Sequence, residues 1–368
     1  MLMWNFILLA VVAALIGGFL WMAFAVCRFD VSGQHMPQTR LRRVVVGTLI
    51  VAAGMTMLYL CLDFVNMVMC FLHLLIIWLI CDGVGYVIKR TSGKTFRLYY
   101  PGFAAVIITT AWLGAGWYNA HHVVATEYTI TTNKAVPKLR IVGLSDSHIG
   151  ATFHWQEFET YIDMINNEKP DLVVIMGDFV DDDTSKEDME HCCDALGRLK
   201  TKHGIYFVYG NHDEGYWADN GRGYSLADLD HRLETNGVRI LRDETVSVVG
   251  RVKLCGRLDK SRSKGRKSPN DLMKGQNIAD YVICLDHEPN DYRAEADSKM
   301  DLVISGHTHG GQFMGLGDIG VAIGANDAYY GHEKWNTTDF IVSSGIGDWA
   351  IKFKTGCIAE YIVINLKK

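Results

Sequence analysis

The chain lacks the spacing a structural zinc site would need. Nine cysteines are present in 368 residues, but none forms a CxxC pair, and an odd number outside the apolar segments gives no clean disulfide framework. Charge is also sparse, at 21% of residues with a net charge of -5, so the basic excess of a general nucleic-acid binder is missing. Internal repeats and low-complexity stretches are absent. The long apolar runs near the N-terminus carry almost none of the paired charges that a transport pathway through them would require.

What is present is hydrophobicity, 49% of residues and unevenly spread. Four uncharged or nearly uncharged stretches in the first third, 4–26, 44–62, 65–80 and 103–118, are expected to be transmembrane helices. Asp63 and Asn66 mark a tight connection between the second and third, and Tyr99, Tyr100, Trp117 and Tyr118 suit an interfacial aromatic belt around the fourth. The first stretch is too long for a signal-peptide core and has no basic residues before it, so it reads as retained. Basic residues fall in the first connection (Arg28, Arg40, Arg42, Arg43) and the third (Lys89, Arg90, Lys94, Arg97), with none in the second. With four spans, the positive-inside rule puts those two connections in the cytoplasm and everything after residue 118 outside it.

A polar, threonine-rich connector is expected over 121–137, and the character then changes to soluble α/β over 138–368. Short apolar runs suited to buried strands recur, separated by helical patterns. Each run ends in chemistry. Leu139–Leu144 leads to Ser145-Asp146-Ser147-His148, and Leu172–Met176 leads to Gly177-Asp178-Phe179-Val180-Asp181. The run 204–209 leads to Gly210-Asn211-His212-Asp213, Tyr281–Leu285 to Asp286-His287, and 301–305 to Gly306-His307-Thr308-His309-Gly310-Gly311-Gln312. Ligands at the carboxyl ends of strands converge on one crevice, and glycines allow the backbone close to a bound ion. Mixed carboxylate, imidazole and amide donors suit Mn, Fe or Zn better than Ca or Mg. The stretch 257–269, with Lys260, Arg262, Lys264, Arg266 and Lys267, reads either as a clamp for an anionic substrate or lipid head group or as a solvated loop.

The five blocks in this order resemble the calcineurin-like metallophosphoesterase superfamily. The block 306–312 with Ser343-Ser344-Gly345-Ile346-Gly347 is most similar to its membrane-associated YkuE-like branch. The resemblance implies a four-layer α-β-β-α sandwich, preceded here by the all-α membrane region. It implies two divalent metal ions, one held by Asp146, His148 and His309, the other by Asn211, His287 and His307, with Asp178 bridging both. In the same scheme His212 protonates the leaving oxygen or stabilises phosphoryl charge, Asp181 orients its ring, and Asp213 either supports the ligands from behind or is structural. Two such ions about 3.5–4 Å apart clamp the attacking and leaving oxygens of an in-line displacement. The expected activity is hydrolysis of a phosphomonoester, phosphodiester or pyrophosphate bond in a membrane-associated or lipid-linked substrate. A pyrophosphatase acting on an acylated nucleotide-sugar of lipid A synthesis is one alternative, and a non-catalytic metal-binding membrane sensor or scaffold is another. Ser147, Asp286 and Ala359 depart from the pattern without removing a ligand.

Overall fold

Strand runs that are apolar at every position bury both faces in a layered α/β domain, and here each face has its own partner. The structure, a computed structural model, describes residues 2–29, 39–93, 98–216 and 221–368. It divides into two units, Met1–Ala115 and Gly116–Lys368.

The first unit is helical: α1 (Leu2–Ala25), α2 (Arg40–Cys61), α3 (Phe64–Ser92) and most of α4 (Tyr100–His121). Asp63 caps α3 by accepting from the Asn66 amide at 2.8 Å, which sets the sharp break from α2. Met22, Phe71, Leu75 and Trp78 form the buried seam. Helix α3 runs twelve residues beyond the expected end at 80. Its internal Asp82 is tolerated because Arg28 pairs with it at 2.5 Å and the Tyr99 hydroxyl also donates to it, and the helix stops at Gly93 in the left-handed conformation. Lys94 and Arg97 lie outside the described residues, as does the side chain of Arg40.

Among the described residues three segments, Leu9–Phe29, Leu41–Cys61 and Phe64–Ser92, are long and apolar enough to cross a membrane. Four were expected. The stretch expected as the fourth, 103–118, lies within a longer helix of 22 residues, Tyr100–His121, but Pro101, Thr109, Thr110, Asn119 and three glycines dilute its apolar character.

In the second unit, six strands form each of two sheets. The first runs β1 (Val124–Thr131), β12 (Glu360–Lys367), β2 (Leu139–Leu144), β3 (Leu172–Met176), β4 (Ile205–Val208), β5 (Val238–Ile240); the second runs β10 (Gly331–Trp335), β11 (Thr338–Val342), β9 (Leu302–Ser305), β8 (Tyr281–Leu285), β7 (Val252–Gly256), β6 (Glu244–Val249). The expected connector 121–137 therefore contains a strand. Its partner is at the far end of the sequence, with Val124 in register with Glu360 and Thr131 with Lys367, which local reading could not reveal.

Alternate residues divide between layers, as the period of two demands. Ile141, Val174, Met176 and Val208 face Leu254, Ile283, Ile304 and Ile341 between the sheets. Val142, Leu144, Val173 and Ile175 point outward and are covered by α5 (Trp155–Asn167), α6 (Lys186–Leu196) and α7 (Leu226–Thr235). Cys255, Val282, Cys284 and Val303 are covered by Leu272 of α8 (Pro269–Met273) and by Tyr292 and Ala296 of α9 (Tyr292–Asp297). This is the expected α-β-β-α sandwich. Strands β2, β3 and β4 are mutually parallel, as are β8 and β9, so the carboxyl ends within each set lie together.

Candidate metal centre

Those carboxyl ends carry every candidate ligand. Asp146 and His148 follow β2, Asp178 follows β3, Asn211 follows β4, His287 follows β8, and His307 and His309 follow β9. Five of these seven residues have positive φ: Asp146 (52°), His148 (37°), Asp178 (51°), His307 (71°) and His309 (49°). Such conformations cost of the order of 1–3 kcal/mol each for a non-glycine residue and persist only where the surroundings impose them. Here they turn each side chain back over the end of its strand. Two glycines let the loops meet: a Cβ on Gly177 would lie 2.3 Å from the Gly210 nitrogen, and one on Gly306 would lie 2.3 Å from Asp146 Oδ2.

The donor atoms fall into two groups. Asp146, His148 and His309 each place one donor within 4.8 Å of the other two, and so do Asp178, His287 and His307. Asn211 joins the second group, its Oδ1 lying 3.2 Å from His287 Nε2 and 2.9 Å from His307 Nδ1. Asp178 touches both, with Oδ2 3.1 Å from His287 Nε2 and 3.5 Å from His148 Nε2. Asp146 Oδ2 and His148 Nε2 are buried with no hydrogen-bond partner, an arrangement that costs about 1–3 kcal/mol per group and that a cation would satisfy. Oxygen and imidazole donors in two adjoining sets fit a dinuclear divalent metal centre.

Outer contacts hold the ligands. His287 Nδ1 lies 2.7 Å from the Met176 carbonyl oxygen. Asp146 Oδ1 accepts from the His307 amide at 2.8 Å, and Asp178 Oδ1 accepts from the His212 amide at 2.7 Å. Asp213 accepts from the amides of Gly210, Asp178, Phe179 and Val180 and so gathers the loops that carry Asp178 and Asn211. The block 343–347 clamps the first loop, its Ile346 and Gly347 amides donating to the carbonyls of Ser145 and Asp146 at 3.0 Å. Asp181 differs from expectation. Its Oδ2 is 3.1 Å from His148 Nδ1, so it fixes the tautomer and direction of a ligand rather than the ring of His212.

Sequence reading missed Asp348 and Lys354. Asp348 lies 3.4 Å from His309 Nδ1 and 3.0 Å from Lys354 Nζ, and both partners of that ion pair are fully buried. They sit on a loop with no strand or helix period. The one cue was Asp348 directly after the glycine-rich block. The basic stretch also resolves differently from a free clamp. Arg257 is buried against Asp286, Asp291 and Glu295, Arg266 pairs with Asp286, and Arg262 donates to the carbonyls of Asn211 and Gly215 while covering the Tyr216 ring at 3.9 Å. Asp286, a departure from the family pattern, is thus the anchor of this stretch beside the ligand His287.

Burial opposes ionisation of Asp178, yet His287, His148 and His212 hold its carboxyl well below the usual range. Burial likewise opposes charge on His287, but Asp178, with Asp146, raises it well above the ordinary imidazole value. His212 goes the other way: burial pushes it down to about 4, and Asp178 only partly offsets that. The carboxylates beside His287 thus favour its protonated form in the metal-free protein, a proton that a metal must displace, while His212 is neutral at pH 7. Loading the stripped protein with Mn at pH 7 is expected to release about one proton or more, so the calorimetric heat will vary with buffer ionisation enthalpy and affinity will fall in acid. A buffer-independent heat would contradict this.

A family model described as calcineurin-like phosphoesterase matches residues 139–311. The chain is 30% identical over 317 residues to an uncharacterized metallophosphoesterase of Helicobacter pylori (strain ATCC 700392 / 26695), covering 80% of this chain and 82% of that one. It is 29% identical to the uncharacterized metallophosphoesterase YkuE of Bacillus subtilis (strain 168), over 61% of this chain and 79% of the other. A transmembrane protein with metallophosphoesterase domain from Bos taurus is 27% identical over 84% of this chain and 73% of its own length. With these relatives and two adjoining sets of metal donors, the chain belongs to the calcineurin-like metallophosphoesterase family and is a metal-dependent phosphoesterase.

Proposed function

We propose that the chain hydrolyses a phosphomonoester, phosphodiester or pyrophosphate bond in a membrane-associated or lipid-linked substrate. The observation that carries the reading is the position of Asp178 Oδ2, within 3.5 Å of a histidine from each donor group. Asp146, His148 and His309 would hold one ion, Asn211, His287 and His307 the other, and Asp178 would serve both. When bound, such a pair polarises the phosphoryl oxygens and makes hydroxide available at neutral pH. Asp181 and Asp348 keep His148 and His309 directed inward.

His212 is no part of either donor group. Its Nδ1 is buried without a hydrogen-bond partner, and its ring stands 4.9 Å from that of His148 and 5.4 Å from that of Trp349. Of the two roles expected for it, the neutral state favours hydrogen-bond donation to charge developing on the phosphoryl group over delivery of a proton from an imidazolium.

The membrane region supports a substrate taken at the bilayer. Helix α4 is the less apolar candidate for a fourth crossing, but it carries no charged residue from 100 to 120, and its 22 residues rise about 33 Å at 1.5 Å each, enough for the hydrocarbon core. With α4 crossing, the catalytic domain lies opposite the basic first connection.

Two outcomes test these readings. His212→Ala is expected to lower kcat about 10²–10³-fold on a generic phosphodiester while the Mn-loaded protein keeps its metal stoichiometry; unchanged kcat would remove His212 from the chemistry. In intact cells a membrane-impermeant maleimide is expected to label Lys200→Cys and spare Arg42→Cys. The reverse pattern would put the domain on the cytoplasmic side.

A further inference from the structure

The segment that follows the last ligands has no use in holding metal. From Met314 to Ile323 it projects large apolar side chains into solvent, while Phe313 before them is buried: Met314 is 68% exposed, Leu316 50%, Ile319 55% and Ile323 52%. Its base is fixed rather than loose. A Cβ on Gly311 would meet Gly317 at 2.8 Å, one on Gly317 would meet the Tyr329 ring at 2.2 Å, and the Thr308 hydroxyl donates to the Tyr329 carbonyl. The apolar side chains therefore face outward because the inner side of the segment is already filled by glycine and tyrosine. Asp318 is the one charged residue between 312 and 326.

The surroundings say what covers this patch. Gln312, at the root of the segment, accepts from the Thr355 and Gly356 amides and donates to the Ile351 carbonyl. The same stretch of chain binds the last turns of α4: the Lys354 amide donates to the Gly116 carbonyl at 2.9 Å, Asn119 Nδ2 to the Lys354 carbonyl at 3.1 Å, and the Ala359 amide to the Asn119 carbonyl at 2.8 Å. On those turns Trp117 and Tyr118 are exposed, the residue types that settle at a membrane interface. The root of the apolar segment and an interfacial helix end are thus tied to one backbone. Trp349, also exposed, has its ring 5.4 Å from that of His212 and lies two residues before Ile351, whose carbonyl Gln312 holds.

We propose that residues 313–323 form a lip that seats in the surface of the bilayer, so that the metal centre directly behind it receives the phosphate of a lipid held in that bilayer. The inference rests on the lipid-linked substrate class proposed above and supplies its physical means. A protein already tied to the membrane needs only a modest apolar contact to hold an orientation there, because tethering raises the effective concentration of the surface.

The test uses the full chain, reconstituted in phosphatidylcholine–phosphatidylglycerol vesicles with an environment-sensitive fluorophore on Ile319→Cys, the identically treated parent as background and Lys200→Cys as the water-exposed control. Emission from position 319 is expected to be quenched by doxyl-labelled lipid and shielded from aqueous iodide, with the opposite pattern at 200. Combined Leu316→Asn, Ile319→Asn and Ile323→Asn, in protein that retains its metal, is expected to lower the ratio of vesicle-borne to soluble ester turnover about ten-fold. Iodide quenching at 319 overturns the lip. So does shielding from both quenchers with cross-linked dimers, which would assign the patch to a second copy. Lipid quenching without turnover of the vesicle-borne ester supports the lip and counts only against the substrate class.

Discussion

A carboxylate shared between two sets of metal donors is the constraint on which the rest of the catalytic domain depends. Asp178 reaches histidines delivered by both sheets, His148 from the first and His287 from the second, so the two sheets must pack in one relative position for the centre to exist. The inter-sheet layer of Ile141, Val174, Ile283 and Ile304 sets that position. Around Asp178 the chain is drawn tight: Gly177 approaches Gly210, Asp213 gathers four neighbouring amides, and the His212 amide holds the second oxygen. The positive φ values at five of the seven candidate ligands are local costs that the layered core offsets.

Buried charges that take no part in ligation lie just behind the ligands. Burial opposes charge on Lys354, and Asp348 beside it more than offsets this; the pair backs His309. Arg257, with Asp286, Glu295 and Asp291, stands behind His287 and pins the basic stretch. Ion pairs removed from water add little net stability compared with apolar packing. Their value here is direction: each fixes a loop that a hydrophobic side chain could fill but not orient.

Much of this was legible in the sequence because period and position carry it. Fully apolar runs of about five residues named the central strands, and the polar residues at their ends named the candidate ligands that the fold brings together, since a carboxyl-end crevice is where α/β sheets gather function. What stayed hidden depends on partners distant in the chain. Residues 124–131 look like a connector until β12 is placed beside them. The third apolar stretch ends at 80 by composition, but the helix runs on through Asp82, with which Arg28 pairs. The resemblance implies Asp181 beside His212, whereas its carboxylate lies against His148, a contact between two loops that sequence alone does not show, and Asp348 and Lys354 sit on an irregular loop with no period to expose them. The basic stretch 257–269 looked free because its acidic partners, Asp286, Asp291 and Glu295, come later in the chain.

The central claim is that Asp178 serves two ions at once, and electron paramagnetic resonance of the Mn-loaded protein tests it most directly. Two Mn ions bridged by one carboxylate are predicted to give an exchange-coupled spectrum that Asp178→Ala abolishes. An isolated six-line Mn signal at full loading, unchanged by that substitution, would contradict the account.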